Sequence, residues 1–535
     1  MKKWLPFAEL ALITGLSLFP LLGAQFPYRL NIFLSYEGAY RLYLGEVPYK
    51  DFGLPMGFMY WVIPALFFKI FGPYMITLVK AQVLINIISG LAFRSILKNL
   101  AVRPGIRFLS VLLFCISYSF LNYWPWYNHT VIVYELVGLA FLTRFLFATT
   151  ASRKSYFFLC LSGVFIFLSF FTKQDAGAMG FLVCVALLIY NSIIEKKWLQ
   201  LPVFLASVAV TAAVCIIPFL KWGFGYWFNY GQPPHTSRFS LGDFTDEFFN
   251  SSQWLKFYFF LIFFLLIATT KNVRALLTDR RRTIFLLLTL GMLTEATIFQ
   301  VTSYIPPDNN IFFHSFAIVF LLVWLADFMP LNFEAPVTLV AGAAGIMLWW
   351  SSVYWKYLEK YIVKPETVQT ASADVVTKKT YLISKPDTSD VPMSEWRTIP
   401  MKAFQKILLP GPTVDGINRI VQMDQVKKQD AKILNMTELT PLAREIPFTL
   451  ERGSYYPLWY HKGVGMFQKQ TDMFCNRIKN NYYDLVLFEY IPYLNNFYPF
   501  QVRDNLLQYY QRVDVFAAPR KPSLQAWVEV YVRKK

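Results

Sequence analysis

Between Trp4 and Trp350 the chain carries twelve apolar runs, beginning near Trp4, Pro55, Pro73, Gly105, Val131, Ser155, Ala176, Leu199, Trp254, Thr283, Ile311 and Pro336. A run of about 20 apolar residues matches the hydrocarbon thickness of a bilayer. Inside lipid the backbone must satisfy its own hydrogen bonds, so such runs are helices. The expected fold class is an α-helical polytopic membrane protein. Charge content agrees: 16% of residues are charged, against about a quarter in soluble domains.

That charge is unevenly spread. Residues 1–359 hold 26 Lys+Arg and 16 Asp+Glu, and residues 360–535 hold 25 and 17. Each part therefore has 42 charges, on about 12% and about 24% of positions, the second being ordinary for a soluble domain. A membrane module over 1–359 and a water-facing C-terminal domain over 360–535 are expected. The net charge of +18 would suit nucleic acid in a hydrophilic chain. With 56% hydrophobic residues, no nucleic-acid partner is expected. The five cysteines form no disulfide framework, and no Cys/His spacing suggests structural zinc.

Basic connectors orient the module. They are Arg94/Lys98/Arg103/Arg107, Arg144/Arg153/Lys154, Lys196/Lys197 and Lys271/Arg274/Arg280/Arg281/Arg282. With Lys2 and Lys3 inside and all twelve runs crossing, every cluster falls outside, against the positive-inside rule. If the run over 55–72, interrupted by Pro64 and ending near Lys69, lies on the outer surface, every cluster falls inside. The expected topology is thus about 11 spans, with the N-terminus cytoplasmic, as an uncleaved first span, and the C-terminal domain outside. The first outer loop then covers about 25–73, with a short helix over 32–44, a turn over 45–48 and the surface helix. In the tail, 365–400 reads as linker, 432–435, 483–489 and 527–532 as strands, and 500–511 as helix, giving a small α/β domain.

Polar groups gather towards the outer face. Lys80, Glu135 and Glu295 lie inside apolar runs, where ionisable residues are costly; the structural alternative is that Lys80 snorkels and the glutamates pair with neighbours. Outer loops add Glu37, Asp51, His129, Lys173, Asp175, His235 and Arg238, and His314 begins a span. Glu37 follows the first span, in Ser35-Tyr36-Glu37-Gly38. It is either a base for an acceptor hydroxyl or amine, or half of a surface pair with Arg41, worth a few tenths of a kcal/mol. Asp51, in Tyr49-Lys50-Asp51-Phe52, either assists that acceptor or stabilises a turn.

The acidic-Gly pair Glu37-Gly38, the run Gly45, Pro48, Tyr49, Lys50, Asp51, Phe52, and the surface helix ending Phe68-Lys69-Ile70-Phe71-Gly72 resemble the first periplasmic loop of bacterial GT-C glycosyltransferases. These polytopic enzymes are similar to protein O-mannosyltransferases and the aminoarabinose transferase of lipid A. The segment Phe170-Phe171-Thr172-Lys173-Gln174-Asp175-Ala176-Gly177 resembles their outer-face Lys motif. The resemblance covers 1–200 well, 200–360 in hydropathy and the tail in architecture. It implies a polyprenyl-phosphate-sugar donor used at the outer face of the bacterial inner membrane, an envelope acceptor, and inversion at the anomeric carbon. Glu37 matches the first-loop acid and Lys173 the phosphate-side cation, with Asp175, Lys80, His235, Arg238 and His314 as further substrate-binding candidates. Many members carry an acid in the second outer loop. Here 122–130 holds none, and Asn128 and His129 stand in its place as hydrogen-bonding or metal-binding groups. Some members use a divalent metal held by carboxylates; four histidines without a spaced motif supply no further ligand set.

Two alternatives belong to the same composition. A lipid or polysaccharide transporter would show paired repeats about a midplane site, and the chain shows no internal repeat. An O-antigen ligase-like transferase would place its large loop between late spans.

Overall fold

The computed structural model describes residues 4–534 except 24, 29–31, 120–122, 149–151, 230–239, 247, 250–252, 271, 304–310, 330, 352–353, 356–390, 392–394, 459, 461, 493–498 and 520–525. All twelve apolar runs are helical. Seven helices are long and apolar enough to cross a membrane: Leu5–Leu22, Met75–Asn99, Tyr127–Leu146, Arg153–Thr172, Gln174–Glu195, Gln200–Trp222 and Arg280–Thr302. Met59–Phe71, Pro104–Ser117, Trp254–Thr269, Phe313–Phe328 and Pro336–Trp349 are shorter. The chain divides into two compact units. One comprises Met1–Leu22, Pro55–Pro64 and Leu78–Val353, the other Gly23–Leu54, Ala65–Thr77 and Tyr354–Lys535. The first loop thus folds with the tail.

The first unit is a helix bundle around a continuous apolar core, in which Phe93 stacks on Phe114 at 4.6 Å and meets Phe316 edge-on at 5.1 Å. Its polar ends are ordered. Glu9, fully buried, pairs with Arg94 at 2.5 Å and Arg107 at 2.8 Å. Asp327 joins Arg103 at 2.9 Å to Arg282 at 3.2 Å. Glu195 joins Lys197 at 3.0 Å to Arg280 at 3.4 Å, and Arg280 also donates to the Leu146 carbonyl. These contacts bring all four basic connectors to one end of the bundle.

The same contacts orient the helices on either side of the first loop. Glu9 lies early in the first helix, and Arg94 lies late in Met75–Asn99. The two helices are therefore antiparallel. Met59–Phe71 has 13 residues, a rise of about 20 Å at 1.5 Å per residue against about 30 Å of hydrocarbon. It is shorter than the hydrocarbon layer, as the expected surface helix would be.

The second unit contains two sheets. Strand β1 (Phe26–Pro27) pairs parallel with β3 (Ile407–Pro410), which pairs antiparallel with β2 (Trp396–Arg397). A four-stranded sheet has the order β4-β5-β7-β6, with β4 Ile433–Met436, β5 Leu485–Tyr490, β6 Tyr510–Ala517 and β7 Trp527–Arg533. β4 and β5 run parallel; β5–β7 and β7–β6 are antiparallel. Burial of β5 from Leu485 to Glu489 suits a central strand. In β7 the buried Glu529 is held by Arg503 at 2.7 Å, Arg512 at 3.0 Å and the Tyr531 hydroxyl at 2.7 Å. Strand β6 and the helices Gly411–Gln422 and Phe467–Lys479 add to the elements read from sequence. Most of the expected linker over 365–400 lies outside the described residues.

Candidate functional site

Two groups of residues carry the chemistry, one in each unit. In the second unit, helix Ile32–Tyr43 is anchored by apolar and phenolic residues. Tyr36 donates to the Pro73 carbonyl at 2.8 Å, and its ring lies 5.4 Å from Phe68. One turn apart on this helix stand Glu37 and Arg41. Both Nε and one terminal nitrogen of Arg41 donate to Oε1 of Glu37, at 2.9 and 2.8 Å. The other terminal nitrogen donates to Glu46 Oε2 at 2.7 Å and to the Glu451 carbonyl at 2.9 Å. The Tyr456 ring lies 4.6 Å from the guanidinium.

The surface-pair alternative for Glu37 and Arg41 is therefore corrected. The Arg41 side chain is 0% exposed and that of Glu37 11%, because tail residues cover the helix face from sequence positions some 410 away. Glu37 lines a narrow crevice of about 10 Å³, room for about one water, with Tyr40, Asn435, Thr440, Glu451 and Tyr456. Burial raises its carboxyl above the ordinary range, and the Arg41 charge and hydrogen bonds only partly offset this.

Asp51 occupies a turn. Its Oδ2 accepts from the Val47 amide at 2.7 Å, and its carbonyl accepts from Gly453 at 2.7 Å. The turn needs left-handed backbone at Gly45 (φ 82°) and at Tyr49 (φ 64°). Of the two roles open to Asp51, turn stabilisation is the one with a visible partner.

In the first unit, Lys173 sits where helix Arg153–Thr172 ends and Gln174–Glu195 begins, at the end of the bundle opposite the basic connectors. Gly177 permits this tight junction: a Cβ there would lie 2.2 Å from the Phe170 Cα. The Lys173 ammonium is 2.9 Å from Asp175 Oδ2 and 4.5 Å from the Phe299 ring centre. Asp175 also accepts from the Thr302 hydroxyl at 2.7 Å.

Other candidates share that end. Asn128 is 2% exposed, and its Oδ1 has no hydrogen-bond partner among the described residues. The His129 ring meets Trp126 edge-on at 5.3 Å. His314 Nδ1 lies 3.0 Å from the Tyr258 hydroxyl, with the Trp254 ring at 5.6 Å. Lys80 lies in the second turn of Met75–Asn99. Glu135 and Glu295 are both 0% exposed, and their carboxylate oxygens have no hydrogen-bond partner among the described residues. His235 and Arg238 lie outside the described residues. Among the described residues no group of three or more His, Cys, Asp or Glu side chains could hold a metal ion, so no step is derived through one.

Sequence reasoning missed Glu46, Glu451, Arg452 and Tyr456 as neighbours of Glu37. Glu46 follows the Gly45 turn and was legible as a nearby acid. The other three lie in the tail, and nothing in sequence links them to the first loop.

No protein-family model and no curated protein matches the chain. Three solved structures are similar to it. An oligosaccharyltransferase from Archaeoglobus fulgidus aligns at 11% identity and TM-score 0.41 over 65% of this chain, which spans only 52% of that protein. ArnT from Cupriavidus metallidurans bound to undecaprenyl phosphate aligns at 11% identity and TM-score 0.48, over 98% of this chain and 97% of that one. The same ArnT in the apo state aligns at 13% identity and TM-score 0.51, with the same coverage. The chain is thus similar in fold, over nearly its whole length, to ArnT.

Proposed function

We propose that the chain is an inverting glycosyltransferase that moves a sugar from a polyprenyl-phosphate donor to an envelope acceptor: a lipid, a glycan or a protein. The acceptor hydroxyl or amine gives its proton to Glu37 and attacks the anomeric carbon. The bond from that carbon to the phosphate oxygen breaks, and the electron pair leaves with the lipid phosphate. Lys173 stabilises the charge growing there, as a cation must in a poorly solvated site. Asp175 holds Lys173, and Asp51 holds the turn that follows Glu37. Asn128, His129, His314 and Lys80 serve the substrate. The bundle end carrying Lys173 faces the outside of the bacterial inner membrane, and the basic connectors face the cytoplasm.

The observation that carries this reading is Glu37. It is a largely buried carboxylate with one oxygen fixed by Arg41, its proton affinity raised by burial, on the wall of a crevice. A general base works best when its pKa approaches the working pH. Glu37→Gln keeps an oxygen for Arg41 and removes the base. The expected result is a folded protein whose transfer from a polyprenyl-phosphate-linked sugar to isolated membranes falls by about 10²–10⁴-fold. Full transfer by that variant overturns the assignment.

A further inference from the structure

Glu37 stands at the end of a line of alternating charges. Arg452 Nε lies 2.9 Å from Glu46 Oε1. Oε2 of the same carboxylate takes an Arg41 nitrogen at 2.7 Å, and Arg41 holds Glu37 at 2.8 Å. The interior members are dry: the Glu46 side chain is 1% exposed and that of Arg41 0%, while Arg452 is 53% exposed. Two carboxylates therefore share one buried guanidinium, and the second cation comes from the tail.

We propose that the tail sets the ionisation of Glu37 through this line, with Arg41 and Glu46 as positioning residues and Arg452 as the balancing charge. The electrostatics have a definite sign. Without Arg452, Glu46 is an uncompensated anion on Arg41, and Glu37 holds its proton to higher pH. Without the Glu46 charge, Arg41 serves Glu37 alone, and Glu37 loses its proton at lower pH. On the tail side Glu451 is engaged by Arg477, and Arg444 and Glu445 lie within electrostatic range of Tyr36 on Glu37's own helix. The phenols Tyr456 and Tyr460 also face Glu37 from the tail, with Tyr40 on Glu37's own helix.

The effect on transfer rests on the reading of Glu37 as base; the effect on its protonation does not. The full chain in detergent is treated with a hydrophobic carbodiimide, which reacts with protonated carboxyls, at graded pH. Labelling of the Glu37 peptide is then measured by mass spectrometry. Relative to the unsubstituted protein, the half-labelling pH should rise in Arg452→Gln and fall in Glu46→Gln. Each shift should be about one pH unit, the scale of one charge at an effective dielectric of about 20.

Shifts in the same direction, or none, overturn the proposal. Should Glu46→Gln fail to fold, Arg452→Lys should hold the midpoint and Arg452→Glu should raise it beyond Arg452→Gln; equal midpoints in those two variants overturn it. If labelling shifts as expected while the pH profile of transfer stays fixed, the relay stands and Glu37 is not the base.

Discussion

Lys173→Met, made alone and together with Asp175→Asn, separates the structural and chemical duties of the Lys173 site. The two side chains keep 13% and 16% exposure. Removing the cation leaves a mostly dry carboxylate that still accepts from the Thr302 hydroxyl. Breaking a fully buried pair costs about 3–5 kcal/mol, and the residual access to water here places Lys173→Met near 3. Loss of the ammonium over the Phe299 ring adds about 1 kcal/mol. The double variant carries no stranded charge, and the Asn carbonyl still accepts from Thr302. It should recover about 2–3 kcal/mol of the loss. Transfer should not recover, because the phosphate still lacks its cation; both variants should fall about 10²–10³-fold. Thermal unfolding in detergent gives the first quantity and transfer from a lipid-linked sugar donor the second. A double variant that regains transfer together with stability would show that Lys173 is only a structural partner of Asp175. A single variant as stable as the parent would refute the burial argument.

Gly57→Ala should destabilise the bundle, because the new Cβ would lie 1.8 Å from the Phe171 carbonyl oxygen. That oxygen accepts from the Trp227 indole at 3.1 Å, so overpacking and a lost bond together cost about 2–4 kcal/mol, read as a lowered Tm. The tail sheet should loosen in acid. For Glu529, burial alone would raise the carboxyl, but Arg503, Tyr531 and Arg512 outweigh it and hold it below the ordinary range. A lowered folded value gives stability that is present above the unfolded pKa of about 4.3 and is lost as pH falls through the folded one. Hydrogen exchange of the full chain should show Leu485–Tyr490 and Trp527–Arg533 losing protection below that pH, and Glu529→Gln should flatten the dependence.

The bundle was legible because apolar length is a local signal, and each of the twelve runs became a helix. The short helix over Ile32–Tyr43, the helix ending at Phe71, and strands β4, β5 and β7 were legible for the same reason. Strand β6 was not: Val513 and Val515 are exposed on this edge strand, so its pattern does not alternate. The helix Gly411–Gln422 opens with Gly-Pro, a turn signal, although Val414, Ile417 and Ile420 keep helical spacing on its buried face. At the site, Glu37 and Lys173 stood out as charges near apolar segments. The burial of Arg41 did not, because spacing of four describes a pair and says nothing of what covers it. The cover is supplied by Glu451 and Tyr456, which no local pattern connects to the first loop.

The union of the first loop with the tail also sets a clock for synthesis. The carbonyl that completes the shell of Arg41 lies 410 residues downstream, which at 5–20 residues per second is about 20–80 s of translation. For that interval Arg41, Glu37 and Glu46 are made but not enclosed, and helix Ile32–Tyr43 lacks the partners that cover it in the finished fold. A nascent chain halted before the tail would therefore display a recognisable lesion, a charged helix beside an apolar one, to the cell's proteases. Synthesis of the 180 or so residues of the tail hides it, so the ion network around Glu37 doubles as a seal that closes only once the tail has been made.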